Sequence, residues 1–537
     1  MQKKTPELLS PAGSLQKLKT AILYGADAVY CGTPDLSMRT QSKFTLEEII
    51  EGVKFAHENN KKIYLTLNLY THNKDVEKLP EFLETIKKIN PDGLIISDPG
   101  VFQYVKEHAP NLKLHISTQA NVCSYLTVDF WQKMGAELCV LGREVTFEEL
   151  KEIRKKCPNI KLETFIHGAM CMSYSGRCLI SNFLAERGAN QGNCAHSCRW
   201  NYKLHLKLKD GRLEELEIND NNKELFEFLA EEEFRPGDFM PIEEIQDGTY
   251  LFNSKDLCLL PKIDKYLKIG IDSLKIEGRN KTNYYVALTT LAYRQAIDDW
   301  LKNPENWQPE KYMGILYSLQ NRGYTIAFHE GRLKNLSHNY LSAKSVSEFE
   351  YAGFICEWEN NEMIFEIKNT LESGDLMEFI TPAGKIIRLR LEEFIDNDTK
   401  KIVKKVSPGQ KKAIRIPKNI FQSEDQKNIK KILPVLTIAR KKNTITASDK
   451  KRLILDLESY ESELNNMDID RIKKENLIKE IKNEKNNIQN LSIKKTKPVI
   501  NSCCGKGCNG CSIFLHDPKF EHARQELKNK KLGEKLT

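Results

Sequence analysis

A chain of 537 residues, 40% hydrophobic and 29% charged, is longer than one hydrophobic core usually organises and predicts two to four domains. The opening residues MQKKTPELLSPAG hold no apolar run of signal-peptide length, and no stretch of about 18 apolar residues offers a helical membrane span, so the expectation is a soluble, cytoplasmic protein without membrane partners. The net charge of +8 is uneven: residues 401–450 carry 14 Lys and Arg against Glu424, Asp425 and Asp449, a local +11 that leaves −3 for the rest.

Over the first 300 residues, helix-like stretches alternate with continuous apolar runs, the pattern of strands buried on both faces of a parallel sheet. In chain order the runs are Glu7–Ser10, Gly25-Ala-Asp-Ala-Val-Tyr30, Ile63–Asn68, Pro91-Asp-Gly-Leu-Ile-Ile96, Leu112–Thr118, Gly135-Ala-Glu-Leu-Cys-Val140, Leu162–Ile166 and Gly270-Ile-Asp-Ser-Leu-Lys275. Three of them open with a glycine, an apolar residue and an acid, and that glycine suits a left-handed helix cap. Eight such strands predict an α/β fold of the (β/α)8-barrel type over residues 1–335, with an open doubly wound sheet as the alternative.

Barrels of this kind carry their chemistry at the C-terminal ends of the strands, which makes the polar residues after each run the candidates. They are Ser10, Asn68, Asp98, Ser117, Thr118, Gln119, Asn121, Arg143, Glu144, Glu163, His167, Lys275, Glu277 and Arg279. Among them Glu163, His167, Arg143, Lys275 and Glu277 suit catalysis, and Ser117, Gln119, Asn121 and Arg279 suit substrate binding. One polar loop residue is more often a cap than a catalyst, so the repeated position carries the signal.

Residues 168–260 form an insertion far longer than an ordinary βα connection. Within 28 residues it holds Cys171, Cys178, Cys194 and Cys198, with glycines that let the backbone curl around a metal centre. The spacing leaves an iron–sulfur cluster, zinc and unligated thiols all open. Cys31, Cys123, Cys139, Cys157, Cys258 and Cys356 are scattered among apolar neighbours and read as buried or inert.

From 336 to 420, short alternating runs with turns at Ser373-Gly-Asp375 and Pro382-Ala-Gly384 predict a small antiparallel β-barrel domain. Residues 421–450 read as a basic linker, either solvated or holding a polyanion. Residues 451–492 have near-heptad apolar spacing and predict a helical segment. The tail, 493–537, carries Cys503, Cys504, Cys508 and Cys511, a possible second metal site, ahead of a helix started by Asp517-Pro518. A helical, Cys-rich C-terminal extension is therefore expected.

The stretches Glu7-Leu-Leu-Ser-Pro-Ala-Gly13, Ser117-Thr-Gln119, Phe165–Ser181, Asn253-Ser-Lys-Asp-Leu257, Ser273-Leu-Lys-Ile-Glu-Gly-Arg279 and Asn321-Arg-Gly-Tyr-Thr325 closely resemble the peptidase U32-like family. Within it, Asn190-Gln-Gly-Asn-Cys-Ala-His-Ser-Cys-Arg-Trp200 is most similar to the branch that forms 5-hydroxyuridine at the wobble position of tRNA. The resemblance covers about residues 5–420. It implies a [4Fe–4S] cluster on Cys171, Cys178, Cys194 and Cys198, prephenate as the source of the hydroxyl group, a tRNA anticodon loop as the partner, and dependence on iron–sulfur assembly machinery. Sister branches imply 23S rRNA or ubiquinone hydroxylation instead.

The family's peptidase label finds little support in motifs: the sequence has neither H-E-x-x-H nor G-x-S-x-G. Cys171, four residues after His167, is the remaining nucleophile, and a thiolate that ligates a metal cannot also attack a peptide. For hydroxylation, Arg143 and Arg279 are expected to anchor a small dicarboxylate through bidentate pairs. Tyr284, Tyr285 and Tyr324 are candidates for stacking on an unpaired base, with helix packing as the plainer reading.

Overall fold

In the computed structural model, residues 5–33, 44–187 except 172, 189, 194–199, 254–331 and 349–442 except 361, 410–411 and 419–427 are described, with short strands between 205 and 249 and isolated positions from 444 to 493. Eight parallel strands lie within them: β1 Glu7–Ala12, β2 Ala28–Gly32, β3 Lys62–Leu67, β4 Gly93–Ile96, β5 Leu114–Ile116, β6 Leu138–Val140, β7 Lys161–Gly168 and β8 Ser273–Ile276. Each pairs with its chain neighbour, and β8 pairs with both β7 and β1, so the sheet closes into the predicted barrel. The glycines that announce β2, β6 and β8 have φ of +105°, +95° and +80°, the left-handed geometry expected of them. The looser copy before β4 differs because Asn90, at φ 53°, takes the left-handed position there.

Period-2 alternation explains why these strands read as unbroken apolar runs. Leu8, Val29, Cys31, Ile63, Leu65, Leu94 and Ile96 point outward into the layer shared with the helices. Leu9, Ala28, Tyr30, Tyr64 and Ile95 point inward and form a separate cluster in the barrel. Helix starts are fixed by side-chain caps, among them Thr45 and Thr146, each in a reciprocal box with a glutamate three residues on. Two further short strands, Asp256–Cys258 and Tyr324–Thr325, extend the sheet beside the end of β7. Between residues 205 and 249 the insertion forms three short antiparallel pairs.

The second sheet is antiparallel and eight-stranded, in the order Ile386–Leu391, Asp375–Ile380, Ile438–Lys442, Phe349–Glu359, Glu362–Ile367, Ala413–Pro417, Phe394–Asp396 and Ile402–Val403. It curls into a half-barrel over Ile355, Phe365, Phe379, Ile414 and Ile416, and its end strands are not paired with each other among the described residues. Ile438–Lys442, placed by the sequence in the basic linker, is a central strand. Its Ile438 and Ala439 are fully buried, while the Arg440 guanidinium bonds Glu378 at 2.8 Å and lies 3.7 Å over the Phe349 ring. Charge at alternate positions, neutralised by a partner, hid a strand.

Tyr24 joins the two sheets: its hydroxyl donates to the Ile380 carbonyl at 2.6 Å and accepts from the Ile438 amide at 3.0 Å. Residues Thr444–Thr537 form a separate unit in which Thr444–Ile445 pairs with Ser492–Ile493. The predicted helical segment is described only at isolated positions, and Cys503, Cys504, Cys508 and Cys511 lie outside the described residues.

Candidate functional site at the barrel mouth

The ends of β6 and β8 bring together Arg143 and Glu277, whose guanidinium and carboxylate meet at 2.9 Å with side chains 12% and 13% exposed. The Arg143 guanidinium also lies 4.0 Å over the ring of Phe165, an inward residue of β7. Stacking and pairing leave this cation little freedom. Arg279, buried after β8, donates to the Thr66 hydroxyl at 2.8 Å, and its backbone carbonyl accepts from the Lys17 ammonium at 3.5 Å. Both arginines are thus engaged within the chain, Arg143 by a carboxylate and Arg279 by a hydroxyl.

The loop after β5 supplies the opposite rim. Buried Ser117 caps the turn Thr118–Ala120 and accepts from the Asn68 amide at 3.3 Å. Asn121 adopts a left-handed φ of 54° and donates to Glu144 at 3.3 Å. Glu144 in turn accepts from both the amide and the hydroxyl of Ser175, the latter at 3.0 Å. Ser175 lies between Cys171 and Cys178, so these bonds seat the cysteine loop on the rim. Gly176 completes the seat: its φ is +76°, the Tyr70 hydroxyl donates to its carbonyl, and a Cβ there would collide with the Gln119 carbonyl. Only glycine tolerates both conditions.

The second pair of cysteines is tied back to the first. Ser181, in the helix Ile180–Ala185, accepts from the Ala195 amide at 2.8 Å and donates to the Arg187 carbonyl at 2.6 Å, while Arg187 reaches the Cys194 carbonyl at 3.3 Å. Cys171 is exposed, and Cys178, Cys194 and Cys198 are half-buried. Four thiols suit an iron–sulfur cluster in kind and number. Among the described residues, no three His, Cys, Asp or Glu side chains gather around one point as metal ligands.

Three catalytic candidates stand away from this rim. Glu163 and Lys275 form an enclosed pair at 2.8 Å inside the barrel, where Ser273 donates to the same carboxylate at 2.7 Å and the Lys275 ammonium lies 4.5 Å over the Tyr30 ring. With side chains 1% and 5% exposed, they brace the interior. A register shift at Lys275/Ile276 pairs His167 with Ile276 and turns its ring outward, among Tyr285, Tyr293 and Tyr324 at 5.4–5.8 Å. Burial pushes the His167 imidazole down to about 3, so it is neutral near pH 7. Tyr284 and Tyr285 are buried, and the Tyr324 hydroxyl donates to the Leu316 carbonyl, so helix packing accounts for all three tyrosines.

Sequence reasoning missed Phe165, Thr66 and Ser175, and also His115, which faces Tyr64 at 4.6 Å within the barrel and is held down to about 3 by burial and, next, by Lys275. Only the alternation Glu163, Phe165 on β7 could have marked the first of these.

The chain is 38% identical over 397 residues to tRNA hydroxylation protein P of Escherichia coli (strain K12), covering 71% of this chain and 87% of that protein. To the protein of the same name in Haemophilus influenzae it is 37% identical over 435 residues, 77% and 94% of the two chains. A Methanocaldococcus jannaschii protein named as an uncharacterized protease is 40% identical over 328 residues, 60% of this chain and 72% of that one. Residues 347–425 match the Peptidase family U32 C-terminal domain. Residues 13–339, which hold barrel strands β2 to β8 and both cysteine pairs, match Peptidase family U32, and the chain belongs to that family.

Proposed function

We propose that this protein is an RNA hydroxylase that forms 5-hydroxyuridine at the wobble position of tRNA. The observation that carries the reading is the extent of similarity to proteins named for tRNA hydroxylation, which covers 71–77% of this chain and 87–94% of theirs. An anticodon loop presents unpaired bases, so the pyrimidine ring can be reached by unstacking one nucleotide. Prephenate supplies the hydroxyl group in this reading. Its carboxylates would compete with Glu277 for the Arg143 guanidinium and approach Arg279 above Thr66.

Cys171, Cys178, Cys194 and Cys198 would hold a [4Fe–4S] cluster, which when bound supplies one-electron chemistry beside the mouth. The chain's own part is positioning: Glu144, Gln119 and Tyr70 fix the cysteine loop, and Phe165 and Glu277 fix Arg143. A peptidase reading is disfavoured by the same geometry. A thiol nucleophile needs an accessible imidazole, and His167 is enclosed by three tyrosines with its Nδ1 facing the Tyr293 hydroxyl at 3.4 Å.

Mass spectrometry of tRNA nucleosides tests the proposal. Cells lacking the protein should lose 5-hydroxyuridine and its derivatives, regain them with the intact gene, and show the same loss when prephenate supply is blocked. Unchanged wobble uridines would refute the assignment.

A further inference from the structure

Beside the mouth, between the loops after β3, β4 and β5 and the helix Tyr125–Met134, lies a groove of about 370 Å³. Two of its walls are aromatic side chains open to solvent. Tyr70 is 37% exposed and Phe130 is 51% exposed, the latter held edge-to-face against Trp131 at 5.2 Å. Arg177 lines the same groove, is exposed, and has no hydrogen bond or ion pair for its guanidinium among the described residues. The polar groups are sparse. Gln119 contributes a side-chain oxygen that is buried without a hydrogen-bond partner, and Asp98 contributes a carboxylate that caps the helix Pro99–His108.

We propose that this groove is a subsite for an unstacked nucleotide of single-stranded RNA, next to the one that reacts. The inference rests on the RNA reading above and adds to it where a neighbouring nucleotide is held. Exposed aromatic rings offer faces for a base, which is the sequence-tolerant source of affinity for unpaired strands. One unpaired guanidinium suits one phosphate. A dicarboxylate would call for a second cation, and the second charged group here is the acid Asp98. That carboxylate repels a phosphate and accepts a ring N–H, so it sets the direction in which a nucleotide lies: phosphate toward Arg177, base edge toward Asp98 and the Gln119 amide.

Position supports a flanking role. Arg143 and Glu277 mark the mouth over the ends of β6 and β8, whereas the groove sits outside β3–β5. The two are linked through the cysteine loop: Arg177 follows Gly176, which is pressed against Gln119, and precedes Cys178. A nucleotide in the groove therefore lies against the loop that the rim residues hold in place.

Phe130 and Arg177 are exposed, so their substitution should leave the fold intact, and thermal unfolding checks this. Binding of the full chain to a labelled anticodon stem-loop RNA, together with turnover of that RNA, then tests the proposal. Phe130→Ala should weaken binding about tenfold or more, in line with loss of a stacking ring, and Phe130→Trp should restore it. Arg177→Ala should weaken binding and reduce the slope of log K against log salt by about 0.7. For both alanine variants KM should rise while kcat at saturating RNA stays near wild type. Wild-type affinity in both variants, a loss of kcat at unchanged affinity, or a defect that tryptophan does not repair would overturn the subsite and leave the RNA hydroxylase reading standing. A wild-type protein that neither binds nor modifies RNA would overturn both.

Discussion

Arg143 and Glu277 are separated by 134 residues and meet at 2.9 Å over the ring of Phe165. The pair closes the mouth between β6 and β8, two strands that lie on either side of β7. Removing one partner leaves the other charge largely desolvated, with some solvent contact at the mouth. Glu277→Ala is expected to cost about 2 kcal/mol, less than the roughly 3–5 kcal/mol of a fully enclosed pair. The double variant with Arg143→Ala should cost less than the two single losses together, by about 1 kcal/mol. Denaturant unfolding of the four proteins measures this coupling, and strict additivity would show that the contact contributes nothing.

The buried histidines predict an acid limit to stability. Burial holds His115, His167 and His329 down to about 3 from the usual 6.5. Below pH 6.5 the unfolded chain takes up protons that the folded chain refuses, so the stability these rings give above pH 6.5 is lost progressively as pH falls toward 3. His167→Phe, which fills the space among Tyr285, Tyr293 and Tyr324 without a titrating group, should flatten part of that fall. Unfolding free energies between pH 7 and 4 are the measurement. An unchanged slope in the variant would mean that His167 is protonated alike in both states.

What the sequence revealed and concealed divides along physical lines. The eight barrel strands were legible because both faces are buried and because the glycines before β2, β6 and β8 mark left-handed backbone. Arg143, Glu277, Gln119 and Asn121 were legible as rim residues because they follow strands. Glu163, Lys275 and His167 satisfy that description only loosely: the first two sit within their strands, and a register shift invisible in one chain turns the third outward. Ile438–Lys442 looked like linker because its cations show in sequence and Glu378, Glu350 and Asp375, which neutralise them, do not. The seating of the cysteine loop by Glu144 and Gln119 depends wholly on tertiary contacts.

The cysteine loop gives a metal prediction with a visible readout. Anaerobically purified protein lacking about the last 40 residues, and so lacking Cys503, Cys504, Cys508 and Cys511, should be brown and hold about four irons. Cys178→Ser should lose the colour. Ser175→Ala removes a hydroxyl bonded to Glu144 and should weaken iron retention without abolishing it. A colourless truncated protein with stoichiometric zinc would exclude the iron–sulfur assignment.

The basic segment supports a narrower prediction than its composition suggests. Of its 14 cations, Lys405 is paired with Glu372, Lys412 with Asp396 at 2.6 Å, Arg415 with Glu359 and Glu362, and Arg440 and Lys441 with acids of the neighbouring strands. A lysine already neutralised by a carboxylate releases little counterion when RNA arrives. Lys401 and Lys404, by contrast, are exposed and have no ion-pair partner among the described residues. If this face tracks a single-stranded phosphate backbone, Lys401→Ala with Lys404→Ala should lower the slope of log K against log salt by about 1.4, at about 0.7 per contact, across RNAs of different sequence. Lys412→Ala should instead act mainly through the fold, because it strips the partner that holds the Asp396 carboxyl down to about 2. Its effect on the salt slope should be small, and its loss of stability should shrink below about pH 4 as that carboxylate protonates. Salt titrations of RNA binding beside unfolding curves separate the two kinds of lysine. Equal salt slopes for the wild type and the Lys401/Lys404 variant would leave this segment a solvated surface and move the RNA contacts to the rim.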